Sequence, residues 1–377
     1  MAKTRIPATV ITGFLGSGKT TLIRNIITAA NGKRLALIIN EFGDVGMDGA
    51  MLEECGADNC SADDIIELAN GCICCTVADD FLPSMQKLLA QTPPPDHIII
   101  ETSGLALPQP LVQAFGWPDV RSRVMLDGVI TLVDGPALAA GGIANDLAAL
   151  EAQRAADEEL DHESPIDELF SDQINAANLI VLSKADMLDA DGIARARKSV
   201  EEKLPEKTPI IAVAGGRVAL DAVLGLDMEE QAHHRAQHHH HHHHDDDHHH
   251  EHDHEHGHHH GHDHEHGHEH GHDEFASHII VLDDVADADE LQRKLASLAN
   301  SYGILRAKGR VKVTGKALPF VVQAVGQRVD GYYAPAESGT TGRLVVIGMA
   351  GLDSAAIASA LGGVVMPDSV AHASSKD

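Results

Sequence analysis

Two clusters of chemically capable residues lie about one strand–helix–strand unit apart near the start of this chain. Gly13-Phe14-Leu15-Gly16-Ser17-Gly18-Lys19-Thr20 has the spacing of a phosphate-binding loop, and Gly71-Cys72-Ile73-Cys74-Cys75 sets three thiols within four residues. In the first cluster, glycines let successive backbone N–H groups turn inward and hold phosphate oxygens at a helix N-terminus. Gly13, Gly16, Ser17 and Gly18 build that cradle, Lys19 reaches the β- and γ-phosphates, the Thr20 hydroxyl coordinates Mg²⁺, and Thr21 completes the nucleotide-binding run. In the second cluster, an extended backbone points Cys72 and Cys74 to one side and Cys75 to the other. Two thiolates with one oxygen or nitrogen donor make an incomplete tetrahedral site, open enough to exchange a transition metal. Buried packing cysteines are the plain alternative, but three in four residues weigh against it. Cys55 and Cys60, with four residues between them in an expected loop, read better as incidental thiols than as auxiliary ligands.

Three further segments fall where a GTPase needs them. Glu101-Thr102-Ser103-Gly104 follows the apolar run Ile98–Ile100, so Glu101 can act as the acidic switch on the Mg²⁺ side and the Gly104 N–H can sense the γ-phosphate. Ser183-Lys184-Ala185-Asp186 ends another apolar run. There the Lys184 stem can pack on a purine, and the Asp186 carboxylate can accept guanine N1–H and N2–H together, which adenine cannot offer. Asp48, after the second strand, contacts Mg²⁺ directly or through water. Lys19, Thr20 and Glu101 are thus the candidate catalytic set, with GTP and Mg²⁺ as expected cofactors. The sequence names no residue to position the attacking water.

These groups need a parallel sheet to carry them. Apolar strands are expected at Ile6–Ile11, Leu35–Ile39, Ile65–Leu68, Cys72–Cys75, His97–Glu101, Val129–Asp134, Leu179–Leu182 and Ile210–Val213, with a helix from Lys19 to about Ala29. Their polar C-terminal residues share one edge, where ligands bind in open α/β sheets. The expected fold is α/β: a P-loop GTPase domain over 1–228, then a disordered His/Asp/Glu-rich linker over 229–275, then a smaller α+β domain over 276–377. In that last domain, strands at Ile279–Leu282, Ile304–Val313, Phe320–Val325 and Leu344–Ile347 with helices at Asp289–Leu298 and Ser354–Leu361 suggest two helices on one antiparallel sheet, in a ferredoxin-like arrangement.

Composition narrows the function classes. A formal charge of −29 over 377 residues argues against a nucleic-acid partner, because phosphate backbones require a basic surface. No apolar run has membrane-spanning length and Met1 leads almost directly into a strand, so no membrane insertion and a cytoplasmic location are expected. Five clustered cysteines suit reduced thiols and metal rather than a disulfide framework. All 28 histidines except His97, His162 and His372 fall between His233 and His278, interleaved with carboxylates from His248 onward. Such a tract can hold several borderline divalent ions weakly and exchangeably.

Ile11–Thr20, Asn40-Glu41-Phe42-Gly43, Gly71–Cys75 and Glu101-Thr102-Ser103-Gly104-Leu105-Ala106 together resemble the CobW group of P-loop GTPases, and the resemblance extends to the His tract and the C-terminal segment. It implies a GTP-dependent metallochaperone with Glu41 as an extra ligand beside Cys72, Cys74 and Cys75. Ser183 departs from the family, whose guanine motif begins with Asn, which weakens guanine preference without removing it. Asp58-Asn59-Cys60 and the run Ala78–Met85 are similar to members serving cobalamin synthesis, so Co²⁺ for a cobaltochelatase client is the leading expectation, with Zn²⁺ the alternative. A passive His-rich metal store is the competing reading from a different class.

Removing Gln237–Gly271 should reduce the number of ions bound per chain while sparing the tight, nucleotide-dependent site. Metal stoichiometry by equilibrium dialysis checks this. Asp186→Asn should erode the preference for GTP over ATP in competition binding, because a double acceptor becomes an amide.

Overall fold

A computed structural model describes residues 5–30, 32–40, 65–68, 81–156, 165–204, 208–225, 275–335 and 341–366. Seven strands, β1 (Ile6–Thr12), β2 (Leu35–Asn40), β3 (Ile65–Leu68), β4 (His97–Glu101), β5 (Val124–Asp134), β6 (Leu179–Ser183) and β7 (Ile210–Ala212), form one sheet in the order β3-β2-β4-β1-β5-β6-β7. Every pairing in it is parallel. All of β4, β5 and β6 is buried, as a sheet covered on both faces requires. Alternation still sorts the side chains: Ile98 and Ile100 enter one core with Val10, while Ile99 enters the opposite core with Ile11. Helix α1 (Lys19–Ala29) lays Leu22, Ile23, Ile26 and Ile27 on that second core, a stripe at helical spacing.

A second, antiparallel sheet has β8 (Phe275–Leu282), β9 (Ile304–Val311), β10 (Phe320–Val325), β11 (Arg328–Tyr333), β12 (Arg343–Met349) and β13 (Gly363–Val365), in the order β11-β10-β9-β12-β8-β13. Helices Ala288–Tyr302 and Ser354–Leu361 pack Leu291, Leu295, Ile357 and Leu361 against it. β8, β9, β12 and β13 with those two helices make the ferredoxin-like core, and the β10–β11 hairpin extends its edge. Sequence reading placed most of these elements but missed β11 and β13. Arg328–Tyr333 lacks the alternating apolar pattern of a half-buried strand, and Gly363–Val365 is too short to give one. The expected strand Cys72–Cys75 and the histidine tract lie outside the described residues.

The two sheets meet through a buried polar cluster. A register shift in the β1–β5 pairing leaves Asp127 as an extra residue between Leu126, opposite Ala8, and Gly128, opposite Thr9. Asp127 Oδ2 accepts from Arg306 Nη1 on β9 at 2.7 Å, from Gly225 N at 3.0 Å and from Thr9 Oγ1 at 3.2 Å. Arg306, 1% exposed, also donates through Nε to Ala222 O at 3.2 Å and through Nη2 to Val223 O. Around this cluster Val223, Leu224 and Leu305 share one apolar core, with Phe275 and Met349 packed on it.

Thr9 gives its proton to Asp127, so its oxygen accepts from His97 Nε2–H at 2.8 Å. His97 Nδ1 is then the unprotonated nitrogen, and it has no partner among the described residues. A proton arriving there would be a buried charge repelled by Arg306 and Lys308. Burial first, then Arg306 and Lys308, outweigh the pull of Asp127 and lower the His97 pKa to about 4. Burial would raise the Asp127 pKa, but the guanidinium of Arg306 and the hydrogen bonds it receives reverse that and hold it below the ordinary value.

Arg306→Ala should destabilise the protein by about 3–5 kcal/mol, because it strands a buried carboxylate, and urea denaturation measures this. Between pH ~4 and ~6.5 the unfolded chain protonates His97 while the native chain does not, so stability should rise with pH across that window by up to about 3 kcal/mol. His97→Gln, which takes up no proton, should flatten that part of the pH–stability curve.

Candidate nucleotide-binding site

β1 lies between β4 and β5, so the loop that follows Thr12 opens at the carboxyl edge with an acidic strand end beside it. Gly13 has φ 138°, and a Cβ placed there would lie 2.3 Å from Leu132 O on β5, so only glycine fits the turn. Ser17 N donates to Phe14 O at 3.1 Å and closes the loop. Gly18 caps α1 in the left-handed conformation with no side chain over the end, and the first turn carries no acidic residue. The helix therefore presents its first N–H groups and its positive dipole end to an anion.

Lys19 is 9% exposed and folds its ammonium onto Gly13 O at 2.7 Å and Phe14 O at 3.4 Å. Burial lowers its pKa, and Glu101 pulls the other way. Glu101 pairs in register with Ile11, which puts it level with the start of the loop. Burial raises its pKa against the pull of Lys19, and its Oε2 has no hydrogen-bond partner among the described residues. A buried lone carboxylate oxygen beside a buried ammonium, under open helix N–H groups, fits a triphosphate with a hydrated divalent cation.

The segment after Glu101 is tied to the loop. Thr102 N donates to Ile11 O at 3.0 Å, and Thr102 Oγ1 donates to Thr12 Oγ1 at 2.8 Å. Gly104 comes so close to the loop that a Cβ on it would sit 2.9 Å from Leu15 N. Gln173, on the helix Ile166–Asn175 and 1% exposed, spends both amide protons on this segment, donating to Gly104 O at 2.9 Å and Ala106 O at 3.0 Å.

The expected base-reading residues gather at the ends of β6 and β7. Lys184 is the single non-glycine residue with positive φ among those described, at 56°, and its Nζ lies 2.6 Å from Asp134 Oδ2. Asp134 also caps the helix Gly135–Ala139 by accepting from Ala137 N at 3.1 Å. Asp186 Oδ1 accepts from Gly215 N at 3.0 Å, and Asn25 Nδ2 of α1 donates to Gly215 O at 3.0 Å. The loop after β7 thus ties the base side of the site to the phosphate helix. Ser183 is buried and gives its hydroxyl to Val133 O at 3.0 Å.

Gly13, Gly16, Ser17, Gly18, Lys19, Thr20 and Thr21 all belong to this loop and the first turn of α1, with Glu101 and Gly104 against it and Ser183, Lys184 and Asp186 at the neighbouring strand ends. Glu41, Asp48, Cys55, Cys60, Cys72, Cys74 and Cys75 lie outside the described residues. Among the described residues no group of three His, Cys, Asp or Glu side chains could hold a metal, and no helix is long and apolar enough to cross a membrane. Sequence reasoning missed Asp134, Gln173 and Gly215. Asp134 carries a signal, a carboxylate ending an apolar strand like Glu101; Gln173 sits in an ordinary amphipathic helix and has none.

A parallel sheet with a phosphate loop on its central strand defines a P-loop nucleotide-binding protein of the GTPase fold. Residues 7–212 match the family described as CobW/HypB/UreG, nucleotide-binding domain, and residues 275–365 match the Cobalamin synthesis protein cobW C-terminal domain, so the chain belongs to the CobW family. It is 49% identical to a "Zinc chaperone CobW" of Sinorhizobium sp. over 96% of this chain and 98% of that protein. A "Zinc chaperone CobW" of Pseudomonas aeruginosa is 44% identical over 95% of this chain and 91% of its own length. A "Zinc-regulated GTPase metalloprotein activator 1" of Schizosaccharomyces pombe is 34% identical over 59% of this chain and 49% of its own.

Lys19→Ala should abolish triphosphate binding while leaving the fold intact, since the loop is built by backbone; calorimetric titration with GTP and a thermal melt read the two effects. Gln173→Leu should lower the preference for GTP over GDP, because Gly104 loses the donor that holds its carbonyl. Competition between the two nucleotides measures it.

Proposed function

We propose that this protein is a cytoplasmic, GTP-hydrolysing metallochaperone that carries Zn²⁺ to a metal-dependent client protein. The observation that carries the nucleotide half is the buried, unpartnered Glu101 Oε2 beside the buried Lys19 ammonium at the mouth of a phosphate loop. Each group lacks a full counter-charge in the free protein, and Mg-GTP supplies one to both. Lys19 binds the β- and γ-phosphates, Thr20 and Asp48 hold Mg²⁺, Glu101 orients its water shell, and Gly104 N–H reads the γ-phosphate. Mg²⁺ here neutralises charge developing on the phosphoryl oxygens. Lys184 and Asp186 select guanine, with Asp134 fixing the lysine by its 2.6 Å contact.

Cys72 and Cys74, with Cys75 and the Glu41 carboxylate, are the cargo ligands in this reading. It divides the chain into the GTPase domain 1–228, the histidine-rich linker 229–275 and the C-terminal domain 276–377. The leading sequence expectation was Co²⁺ for a cobaltochelatase. The names of the 49% and 44% identical relatives favour zinc instead, and thiolate ligands bind Zn²⁺ more tightly than Co²⁺ by the usual divalent order. Binding of Mg-GTP near Asn40–Gly43 and Asp48 draws Glu41 toward the thiolates, and hydrolysis relaxes the set and releases the ion.

Linkage makes the coupling measurable. Mg-GTP should tighten Zn²⁺ binding relative to Mg-GDP by about 5–150-fold, and Zn²⁺ should tighten GTP by the same factor. Cys72→Ala and Cys74→Ala should remove the coupling and leave GTP binding without zinc unchanged. A chelator-competition titration in both nucleotide states decides it, and equal zinc affinities would refute the chaperone cycle in favour of a passive store.

A further inference from the structure

Three buried side-chain oxygens without a partner among the described residues surround the phosphate loop: Ser17 Oγ, Glu101 Oε2 and Gln153 Oε1. Ser17 and Glu101 belong to motifs that the sequence announces. Gln153 does not, since it comes from the helix Leu147–Ala156, which carries no nucleotide motif. Its Oε1 lies 3.5 Å from where a Cβ on Gly104 would stand, and that same point is 2.9 Å from Leu15 N of the loop. The amide oxygen is therefore held at the seam between the phosphate loop and the segment after the acidic switch. In P-loop GTPases the γ-phosphoryl group and its attacking water occupy that seam.

A buried amide oxygen left unpaired costs about 1–3 kcal/mol, and the large majority of buried side-chain polar atoms in folded proteins find a partner. The neighbouring glutamine shows the contrast. Gln173 gives both amide protons to Gly104 O and Ala106 O and is fully committed to holding the segment in place. Gln153 keeps an acceptor free on the other side of the same glycine.

We propose that Gln153 is the water-positioning residue of GTP hydrolysis, its Oε1 accepting a hydrogen bond from the attacking water beside Gly104. This rests on the GTPase reading above. In the step, the water oxygen forms the new bond to the γ-phosphorus as the bond to the bridging oxygen of the departing GDP breaks. One O–H of the water donates to Gln153 Oε1 and keeps its hydrogen, which remains on the attacking oxygen as a hydroxyl of the released phosphate; the other proton passes to a phosphoryl oxygen, and the amide itself is unchanged. Gln153 thus orients rather than deprotonates, which suits a loose transition state that needs little base strength.

The test uses the full chain with Mg²⁺ and compares Gln153→Met, which keeps the volume and loses the acceptor, with Gln153→Glu, which keeps an acceptor oxygen. Single-turnover hydrolysis of bound GTP should slow by about 100-fold in the Met variant, the cost of a misplaced reacting group, and the Glu variant should be faster than the Met variant. Affinity for a non-hydrolysable GTP analogue and the thermal midpoint should stay at the wild-type level for the Met variant. A Met variant that turns over at the wild-type rate overturns the proposal. So does a loss of analogue affinity equal to the loss of rate, which would make Gln153 a support for the loop. Wild-type turnover no faster than that of Lys19→Ala overturns instead the GTPase reading itself, and the assignment of Gln153 with it.

Discussion

A buried ammonium and a buried carboxylate at the mouth of one loop, each with burial working against its charge and each partly offset by the other, set the terms for this whole structure. Neither Lys19 nor Glu101 is comfortable alone. They are brought together by register, because β1 pairs Ile11 with Glu101 and releases the loop one residue later. The loop accepts the lysine on its own carbonyls, and the helix beyond presents bare N–H groups to the same space. The loop and the helix end thus offer backbone donors and one ammonium to an anion, with a carboxylate nearby. In the function proposed above, a nucleoside triphosphate with a divalent cation is the ligand whose charges complete both partners at once.

The same two strands reach the other domain. β1 carries Thr9 below the loop, and β4 carries His97 at its start and Glu101 at its end. Thr9 and His97 join Asp127 and through it Arg306 of the C-terminal sheet. The guanidinium also holds the carbonyls of Ala222 and Val223, just before the histidine-rich tract, while Phe275, just after it, packs on the core shared with Leu305. Both described ends of that tract are thus planted on one apolar core.

Gly104 shows how the switch segment is shared among elements far apart in sequence. Its missing side chain lets it lie against Leu15, Gln173 fixes its carbonyl, and Gln153 stands over its α-carbon. The two glutamines lie on different helices and differ in what they leave free. One has spent its hydrogen bonds on protein and the other has an oxygen to offer.

By itself the sequence determined the class of fold, the phosphate-loop pattern and most strand positions, and it marked Glu101 and Ser183–Asp186 as the polar runs proposed for the switch and the base. These are local patterns: glycines at a strand-to-helix turn, apolar runs of strand length, polar residues where those runs end. The limits of Ile65–Leu68 and His97–Glu101, and the approximate places of Phe320–Val325 and Ser354–Leu361, were legible for that reason. The thiol run Cys72–Cys75 was equally plain as a motif, though its placement lies outside the described residues. Only the tertiary structure decided what Asp127, Arg306, Gln153 and Gln173 do. Asp127 and Arg306 stand 179 positions apart, and Gln173 is 69 from the glycine whose carbonyl it holds. No periodicity connects such residues, because their roles arise from a bulge in one strand, a helix laid across a loop and a second sheet docked on the first. A hydrogen bond's reach of about 3 Å is a fact of space, and sequence records only neighbours along the chain.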